Sequence, residues 1–219
     1  MAQPPPSQDD PTEHPALSDS LRALARRGVV KSYRKNTVLI EEGDPGDSLY
    51  IILAGRLRAY AGNDKGREIT YGSYGPGDYL GEMSLDGGPR SASVITLEPS
   101  VCALVTRHTL EQHLRDEPAF AFELLAKVIR RARAATLSMR QMALNDVYGR
   151  LRLLLGELAQ TQADGSRSID RMPTHQDIAH RLGCTREMVS RLLKDLERGG
   201  YVRVEGRRLV LLRELPARW

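Results

Sequence analysis

Residues 172–193 have the sequence MPTHQDIAHRLGCTREMVSRLL, which contains signals for two short helices and a turn. Thr174 is followed three residues later by Asp177, a spacing with which a helix caps its own amino end. Gly183 ends this helix, because glycine enters the left-handed conformation of a tight turn without strain. Thr185 then caps a second helix. The apolar spacing predicts a helix-turn-helix with these inward residues: Ile178, Ala179, Leu182, Met188, Val189, Leu192 and Leu193.

The opposite face of the second helix carries Arg186, Glu187, Ser190 and Arg191. Arginine can bind two acceptors of guanine, and glutamate can accept from the amino group of cytosine. A helical hairpin with a solvated charged face would also show this amphipathic pattern. The two caps, the turn glycine and the Arg-Glu start of the helix favour a recognition helix in a DNA major groove.

The run GCTREMVSRLLKDLERGGYV, residues 183–202, is followed by a short strand pair around Gly206. Together they resemble the DNA-binding end of the cyclic-AMP receptor protein and fumarate-nitrate regulator (CRP/FNR) family. The resemblance extends upstream to about Leu17. It implies a homodimer with a winged helix-turn-helix that binds double-stranded DNA, and RNA polymerase is a further partner to consider.

The resemblance also implies roles for individual residues. Positions matching Arg186, Glu187 and Arg191 contact base edges of a TGTGA half-site in the family, so we expect a TGTGA-N6-TCACA palindrome. Positions that touch phosphate there are occupied by Thr174, Gln176 and Thr185 in this sequence. Such contacts fix register without reading sequence.

Charge distribution agrees with a nucleic-acid partner. The segment from Arg171 to Trp219 holds 11 Lys and Arg against 6 Asp and Glu, whereas the rest holds 21 against 22. The positive excess therefore lies beside the helix-turn-helix, as phosphate binding requires. The two cysteines, Cys102 and Cys184, are far apart and offer no disulfide framework. Without a membrane-length apolar run or signal-peptide pattern, the expected location is the cytoplasm, with no membrane partner.

Between Val29 and about Thr106 the apolar period changes to two, and 11 of the 19 glycines lie between Gly43 and Gly88. Short strands joined by glycine turns predict an antiparallel β-barrel or jelly roll. The run EEGDPGDSLYIILAGRL, residues 41–57, is similar to the opening of cyclic-nucleotide-binding domains. The expected strands cover residues 37–40, 48–53, 56–61, 67–71, 92–97 and 101–106.

Helical spacing predicts a short helix over residues 17–27 and a long one over 118–144. The long helix repeats apolar residues every seven positions, as in a two-stranded coiled coil. We call this set the seam: Leu125, Val128, Ala132, Ala135, Met139 and Met142. Packing of the helix on its own barrel is the alternative, and both can hold for different faces. The arginines off the seam are expected to be solvated: Arg130, Arg131, Arg133 and Arg140.

Asn145 and Asp146 interrupt this helix and suggest a hinge, with Asp146 capping a helix over 147–160. A loop over 163–170 and a hairpin turning at Glu205-Gly206 complete the expectation. The predicted fold class is α+β: a disordered tail (1–16), a cyclic-nucleotide-binding-like jelly-roll domain (17–117), a dimerisation helix (118–144) and a winged helix-turn-helix domain (145–219).

The second informative stretch is GPGDYLGEMSLDGGPRSASV, residues 75–94, here called the cassette. Amides of a helical turn at Gly81, Glu82, Met83 and Ser84 can point at an anion. Arg90 supplies a charged fork for phosphate, Ser91 a hydroxyl donor, and Ala92 leaves room. Glu82 can accept from a ribose 2′-hydroxyl. A glycine-rich surface loop with a solvated ion pair explains the residues equally well, and only the family resemblance favours nucleotide binding.

Two residues leave the identity of the effector undetermined. In cyclic-AMP-binding members, a threonine and serine pair on the dimer helix meets the adenine amino group, and the matching residues here are Ala135 and Thr136. Ala135 lacks the hydroxyl of the first position, and Thr136 keeps a hydroxyl at the second. Cyclic AMP, cyclic GMP and cyclic di-GMP all stay candidates, and an effector-independent DNA-binding regulator is the alternative.

Other function classes lack support in the sequence. It shows no metal-spaced His and Cys cluster, nucleophile elbow or Walker loop, so neither an enzyme nor a metal site is expected. No cysteine precedes Cys102, which argues against the iron-sulfur members of the family. A kinase regulatory subunit or channel module would not need a helix-turn-helix.

Overall fold

The computed structural model describes residues 10–63, 68–162 and 165–218. The chain divides into two compact units, Met1–Ala61 with Thr70–Arg131 and Gly62–Ile69 with Ala132–Trp219. Within the described ranges, no helix combines the length and apolar character needed to cross a membrane.

Among the described residues of the amino-terminal half, eight strands form two four-stranded sheets. They are β1 (Val29–Tyr33), β2 (Val38–Ile40), β3 (Ser48–Ala54), β4 (Leu57–Gly62), β5 (Glu68–Tyr74), β6 (Tyr79–Leu80), β7 (Ser93–Thr96) and β8 (Ser100–Thr106). The orders are β1-β8-β3-β6 and β2-β7-β4-β5. The pairs β1–β8, β3–β8, β3–β6, β2–β7 and β4–β7 are antiparallel, which confirms the predicted jelly-roll class.

Strands β1 and β6 were not among the expected segments. Four of the five β1 residues are exposed, so the strand lacks the alternation that marks a half-buried one. Strand β6 has two residues, both buried. The expected strand over 67–71 agrees with β5 from Glu68 onward, and residue 67 lies outside the described residues.

Helices pack on the first of these sheets. Helix α1 (Asp19–Arg26) is capped by Ser18, and α2 (Arg107–Asp116) is capped by Thr106 at the end of β8. The shared core of helices and sheet contains Leu21, Leu24, Leu49, Ile51, Leu53, Tyr79, Val105, Leu110 and Phe120. Helix α2 was not predicted, because its ten residues bury only Leu110 and His113.

The amino-terminal stretch is partly structured. Pro11–Glu13 forms a 3-10 helix capped by Asp10, and the Thr12 side chain is buried. Residues 10–16 therefore differ from the expected disorder, because this turn packs its threonine inward. Residues 1–9 lie outside the described residues.

Helix α3 (Phe120–Leu144) is 25 residues long and is followed by α4 (Val147–Leu158). Asp146 caps α4 by accepting a hydrogen bond from the Gly149 amide at 2.7 Å, as predicted. Helix α4 buries Tyr148, Leu151, Leu154 and Leu155 in the core of the second unit.

The second unit contains a small sheet in addition to the helix-turn-helix. Its strands are β9 (Gln160–Thr161), β10 (Arg167–Ile169), β11 (Val202–Glu205) and β12 (Arg208–Leu211), in the order β11-β12-β10-β9. The expectation of a loop over 163–170 is wrong at residues 167–169. Those residues form a strand because β10 pairs with both β9 and β12 and buries Ser168 and Ile169.

Candidate functional site

Gly81 of the cassette occupies a position that requires glycine. Gly81 has φ 97°, in the left-handed region, and precedes a single 3-10 turn over Glu82–Ser84. A Cβ atom there would lie 2.5 Å from the Ser48 carbonyl oxygen and 2.6 Å from Arg90 Nη1. Glycine is therefore required both by the backbone conformation and by the close approach of the arginine.

Arg90 lies inside the protein, with 7% of its surface exposed. Its Nη1 donates to the carbonyl oxygens of Ser48 (2.9 Å) and Gly81 (3.1 Å) and to Ser84 Oγ (2.9 Å). Its Nη2 donates to Ser48 Oγ at 3.0 Å. All these acceptors are neutral, and among the described residues no carboxylate forms an ion pair with Arg90. The site thus holds a buried positive charge that an anionic ligand would compensate.

Two residues that position Arg90 were not singled out from the sequence. Ser48, at the start of β3, accepts from the guanidinium through its carbonyl and its hydroxyl. Gly46 leaves the space that the guanidinium fills, because a Cβ atom there would lie 1.9 Å from Arg90 Nε. The only sequence signal was the glycine-rich run before β3.

Glu82 is also buried, with 8% of its surface exposed, but it has a partner. Its carboxylate forms an ion pair with Arg131 on α3. Arg131 also donates to the Tyr79 carbonyl and stacks on the Tyr74 ring at 4.7 Å. The prediction that Arg131 is solvated is therefore wrong: its side chain is 18% exposed and is drawn in by this carboxylate and the aromatic rings.

The remaining arginines off the seam, Arg130, Arg133 and Arg140, are exposed, as predicted.

The other candidate ligand-binding residues of the cassette differ in their exposure to solvent. Met83 and Ser91 are exposed and Ala92 is half-buried. Ser84 is buried, and its hydroxyl donates to the Gly81 carbonyl while accepting from Arg90. In this arrangement Ser84 orients the arginine.

An open cavity of about 620 Å³ has Ser84 in its lining, but the lining does not include Arg90 or the other proposed ligand-binding residues. Gly46 and Ser84, which both contact the arginine, are part of its lining. The other lining residues are Gly43, Pro45, Asp47, Gly87, Gly88, Pro89 and Arg107. The volume falls in the range of small-molecule pockets.

Ala135 and Thr136 belong to the second unit and are described with it. Both are exposed on α3. The Thr136 hydroxyl donates to the carbonyl of Ala132 in the preceding turn, at 3.0 Å. This bond within the helix leaves the oxygen able to accept a further hydrogen bond.

The helix-turn-helix has the predicted caps. Helix α5 (His175–Leu182) begins with a reciprocal capping box between Thr174 and Asp177 and ends at Gly183, whose φ is 64°. Helix α6 (Arg186–Arg198) begins with Thr185 accepting from the Met188 amide. The predicted inward residues pack in one core with α4 and the sheet.

The outer face of α6 exposes Arg186, Glu187 and Arg191. Ser190 is half-buried, and its hydroxyl lies 2.8 Å from Nδ1 of His175, on the first turn of α5. His175, which no sequence motif indicated, links the two helices on this polar face. Thr174, Gln176 and Thr185 are exposed beside them.

The two cysteines are packed side chains. Cys102 is fully buried on β8, and burial raises the pKa of its thiol to about 12. Cys184, in the turn before α6, is half-buried, and burial raises its thiol pKa as well. Both thiols are therefore protonated near neutral pH. Among the described residues, no group of His, Cys, Asp and Glu is arranged to hold a metal ion.

Comparisons with known proteins show matches to two domain families, one in each half of the chain. Residues 30–117 match the cyclic nucleotide-binding domain family, and residues 149–217 match the Crp-like helix-turn-helix domain family. A CRP-like cAMP-activated global transcriptional regulator of Mycobacterium tuberculosis is 31% identical over 196 residues, 88% of each chain. The chain belongs to the CRP/FNR family. The Cyclic AMP receptor protein of Thermus thermophilus is a second CRP/FNR relative, 32% identical over 84% of this chain and 86% of its own length.

Solved CRP/FNR structures share the fold. The c-di-GMP responsive global regulator CLP of Xanthomonas campestris superposes with a TM-score of 0.77, at 24% identity, over 89% of this chain and 98% of its own. FixK2 of Bradyrhizobium japonicum superposes with a TM-score of 0.66, at 25% identity, over 85% of this chain and 93% of its own. The order of sheets, long helix and helix-turn-helix is thus that of the CRP/FNR family.

Proposed function

We propose that this CRP/FNR member is a cytoplasmic, homodimeric transcription regulator whose DNA affinity is controlled by a cyclic nucleotide bound at the cassette. One observation supports this above all others. Arg90 is buried with only neutral hydrogen-bond acceptors, and the phosphodiester of a cyclic nucleotide supplies the one negative charge that would compensate it.

The candidate ligand-binding residues of the cassette each have a role in this proposal. Amides of the turn from Gly81 through Glu82, Met83 and Ser84 and the Ser91 hydroxyl donate to the phosphate, and Ala92 leaves room for it. The Glu82 carboxylate accepts from the ribose 2′-hydroxyl while keeping its ion pair with Arg131. On α3, Thr136 bonds to the base, and Ala135 offers no second hydroxyl.

The identity of the nucleotide is a finer proposal. The relatives from M. tuberculosis and T. thermophilus are both named for cyclic AMP. We therefore infer that cyclic AMP is the first candidate, with cyclic GMP and cyclic di-GMP as alternatives because Ala135 lacks a hydroxyl. Calorimetric titration of the full chain with all three tests this. Binding of none would favour the effector-independent regulator, the second candidate that Ala135 leaves open.

Thr136→Ala is expected to weaken nucleotide binding about five-fold, the equivalent of about 1 kcal/mol for one hydrogen bond. Calorimetry on the variant measures the change. The matched control is Ser138→Ala, which removes a neighbouring exposed hydroxyl from the same helix and should leave affinity unchanged. Equal affinities for the Thr136 variant and the wild type would remove this residue from the site.

The exposed surface of α3 supports the dimer. Helix α3 exposes large apolar side chains that a monomer would leave in water: Phe122 (77%), Leu125 (54%), Ile129 (41%), Leu137 (56%), Met139 (67%) and Met142 (39%). Three of these belong to the seam, and exposed apolar surface of this extent marks an interaction site. We propose that two copies pair along the seam, which gives the DNA site two-fold symmetry.

The exposed face of α6 supports a specific DNA site. Two arginines, Arg186 and Arg191, suit two guanines, and Glu187 suits a cytosine paired with one of them. We propose the palindrome TGTGA-N6-TCACA, with phosphate contacts from Thr174, Gln176 and Thr185 and a supporting contact from Ser190. Recruitment of RNA polymerase at such sites is a further proposal that rests on the family alone.

Glu187→Ala is expected to relax the preference at one base pair of each half-site, with a loss of discrimination of roughly 1–3 kcal/mol. Selection from random DNA, followed by titration of single-base variants at fixed salt, measures it. Glu214→Ala, another exposed carboxylate of this unit, should keep the wild-type preference. If the wild-type protein selected a half-site without the two guanines of TGTGA, this result would contradict the assignment of bases to residues.

A further inference from the structure

One arginine bonds to the carboxyl ends of two helices at once. Arg150 lies in the first turn of α4. Its Nε donates to the carbonyl of Leu182, the last residue of α5, at 3.1 Å. Its Nη1 donates to the carbonyl of Asn145, the residue that follows α3, at 2.8 Å. All these groups belong to the second unit.

These carbonyls are favourable partners for a cation. The last four carbonyls of a helix have no acceptor role within it, and together they give that end a partial negative charge. A planar guanidinium presents several N–H groups in fixed directions, so it can serve two carbonyls on different helices without rotating. Arg150 therefore joins the ends of α3 and α5 through one rigid group.

We propose that Arg150 is a positioning residue that couples the state of α3 to the orientation of the helix-turn-helix. This inference rests on the proposed nucleotide control. Near its middle, α3 contacts the cassette through the Arg131–Glu82 ion pair. At its carboxyl end, α3 is followed by the break at Asn145-Asp146, and Arg150 bonds to the Asn145 carbonyl on one side and to the last carbonyl of α5 on the other. A shift of α3 on ligand binding is then passed to α5 through this guanidinium.

Arg152 provides the matched comparison. It lies on the same helix, two residues later, and is also partly buried. Unlike Arg150, it has no hydrogen bond to a main-chain carbonyl among the described residues. Replacing either arginine by methionine removes one charge from α4 and keeps most of the side-chain length, but only Arg150→Met removes the hydrogen bonds to the Asn145 and Leu182 carbonyls.

The test measures coupling in the full-length protein. DNA affinity is titrated without nucleotide and with saturating cyclic AMP, cyclic GMP or cyclic di-GMP, and the ratio of the two affinities is the coupling factor. Arg150→Met should lower this factor at least about five-fold, toward 1, within the usual range of allosteric couplings. Arg150→Lys keeps the charge but lacks the planar fork, so its coupling factor should lie between those of Arg150→Met and the wild type. The coupling factor of Arg152→Met should equal that of the wild type.

A second readout follows from linkage. The factor by which DNA strengthens nucleotide binding must equal the factor by which nucleotide strengthens DNA binding. Calorimetry in the presence and absence of DNA should therefore show the same loss in Arg150→Met. A purely structural role would weaken DNA binding equally with and without nucleotide and leave the coupling factor unchanged.

The outcomes separate the two proposals. A wild-type coupling factor of 1 for all three nucleotides overturns the proposed function, and this inference with it. A coupled wild type whose factor survives in both Arg150 variants overturns this inference alone. If Arg150→Met does not fold, as judged by circular dichroism, the coupling factor of Arg150→Lys decides.

Discussion

Arg90→Ala is expected to abolish cyclic-nucleotide binding, with a loss of at least about 30-fold in affinity. The expected cost of truncating one member of a buried charge pair is about 2–5 kcal/mol, because the phosphate would be left without its counter-charge. Arg90 is the single cation of the cassette, so no neighbour in Gly75–Val94 can replace it. Calorimetric titration with cyclic AMP measures the loss directly.

The same substitution should also affect stability, since Arg90 serves acceptors on Ser48, Gly81 and Ser84. Leaving such buried groups unpaired costs roughly 1–3 kcal/mol, which a thermal melt would show. Arg90→Lys keeps the charge and separates folding from binding, and we expect a folded protein with weakened affinity. Arg56→Ala, an exposed arginine before β4, is the control. Wild-type affinity in a folded Arg90→Ala protein would rule out the assigned pocket.

Ala132→Glu is expected to convert the dimer to monomers. Ala132 is an exposed, central position of the seam, and a dimer would place two carboxylates facing each other in an apolar interface. Monomers present one recognition helix each, so binding to the palindrome should be lost at concentrations where the wild type is saturated. Sedimentation measures the mass and a DNA titration measures the affinity.

Arg133→Glu provides the control on the adjacent position. It introduces the same side chain at an exposed site off the seam, so the dimer should persist. A dimeric Ala132→Glu protein would mean that another surface of the chain forms the contact.

Sequence alone predicted the helix-turn-helix in detail because its determinants are local. Both caps act within three residues, and Gly183 fixes the turn through its own φ. Short elements that depend on partners were missed. Strand β10 exists because β9 and β12 flank it, and its three residues have no period of their own.

The cassette was predicted in order but not in its contacts. The buried charges Glu82 and Arg90 were identified from residue type and the family pattern. Their partners come from distant segments: Ser48 lies 42 residues before Arg90, and Arg131 lies far beyond Glu82 on α3. A seven-residue repeat indicated that Arg131 falls off the seam, but it could not show that this side faces a buried carboxylate.

Control of DNA affinity by a cyclic nucleotide can be measured in a single titration. The full-length protein is added to a TGTGA-N6-TCACA duplex at fixed salt, with and without saturating cyclic AMP, cyclic GMP and cyclic di-GMP in separate series. We expect at least one nucleotide to change the affinity about five-fold or more, since a ligand shifts an equilibrium only by its differential affinity. Identical binding curves in all series would contradict this expectation.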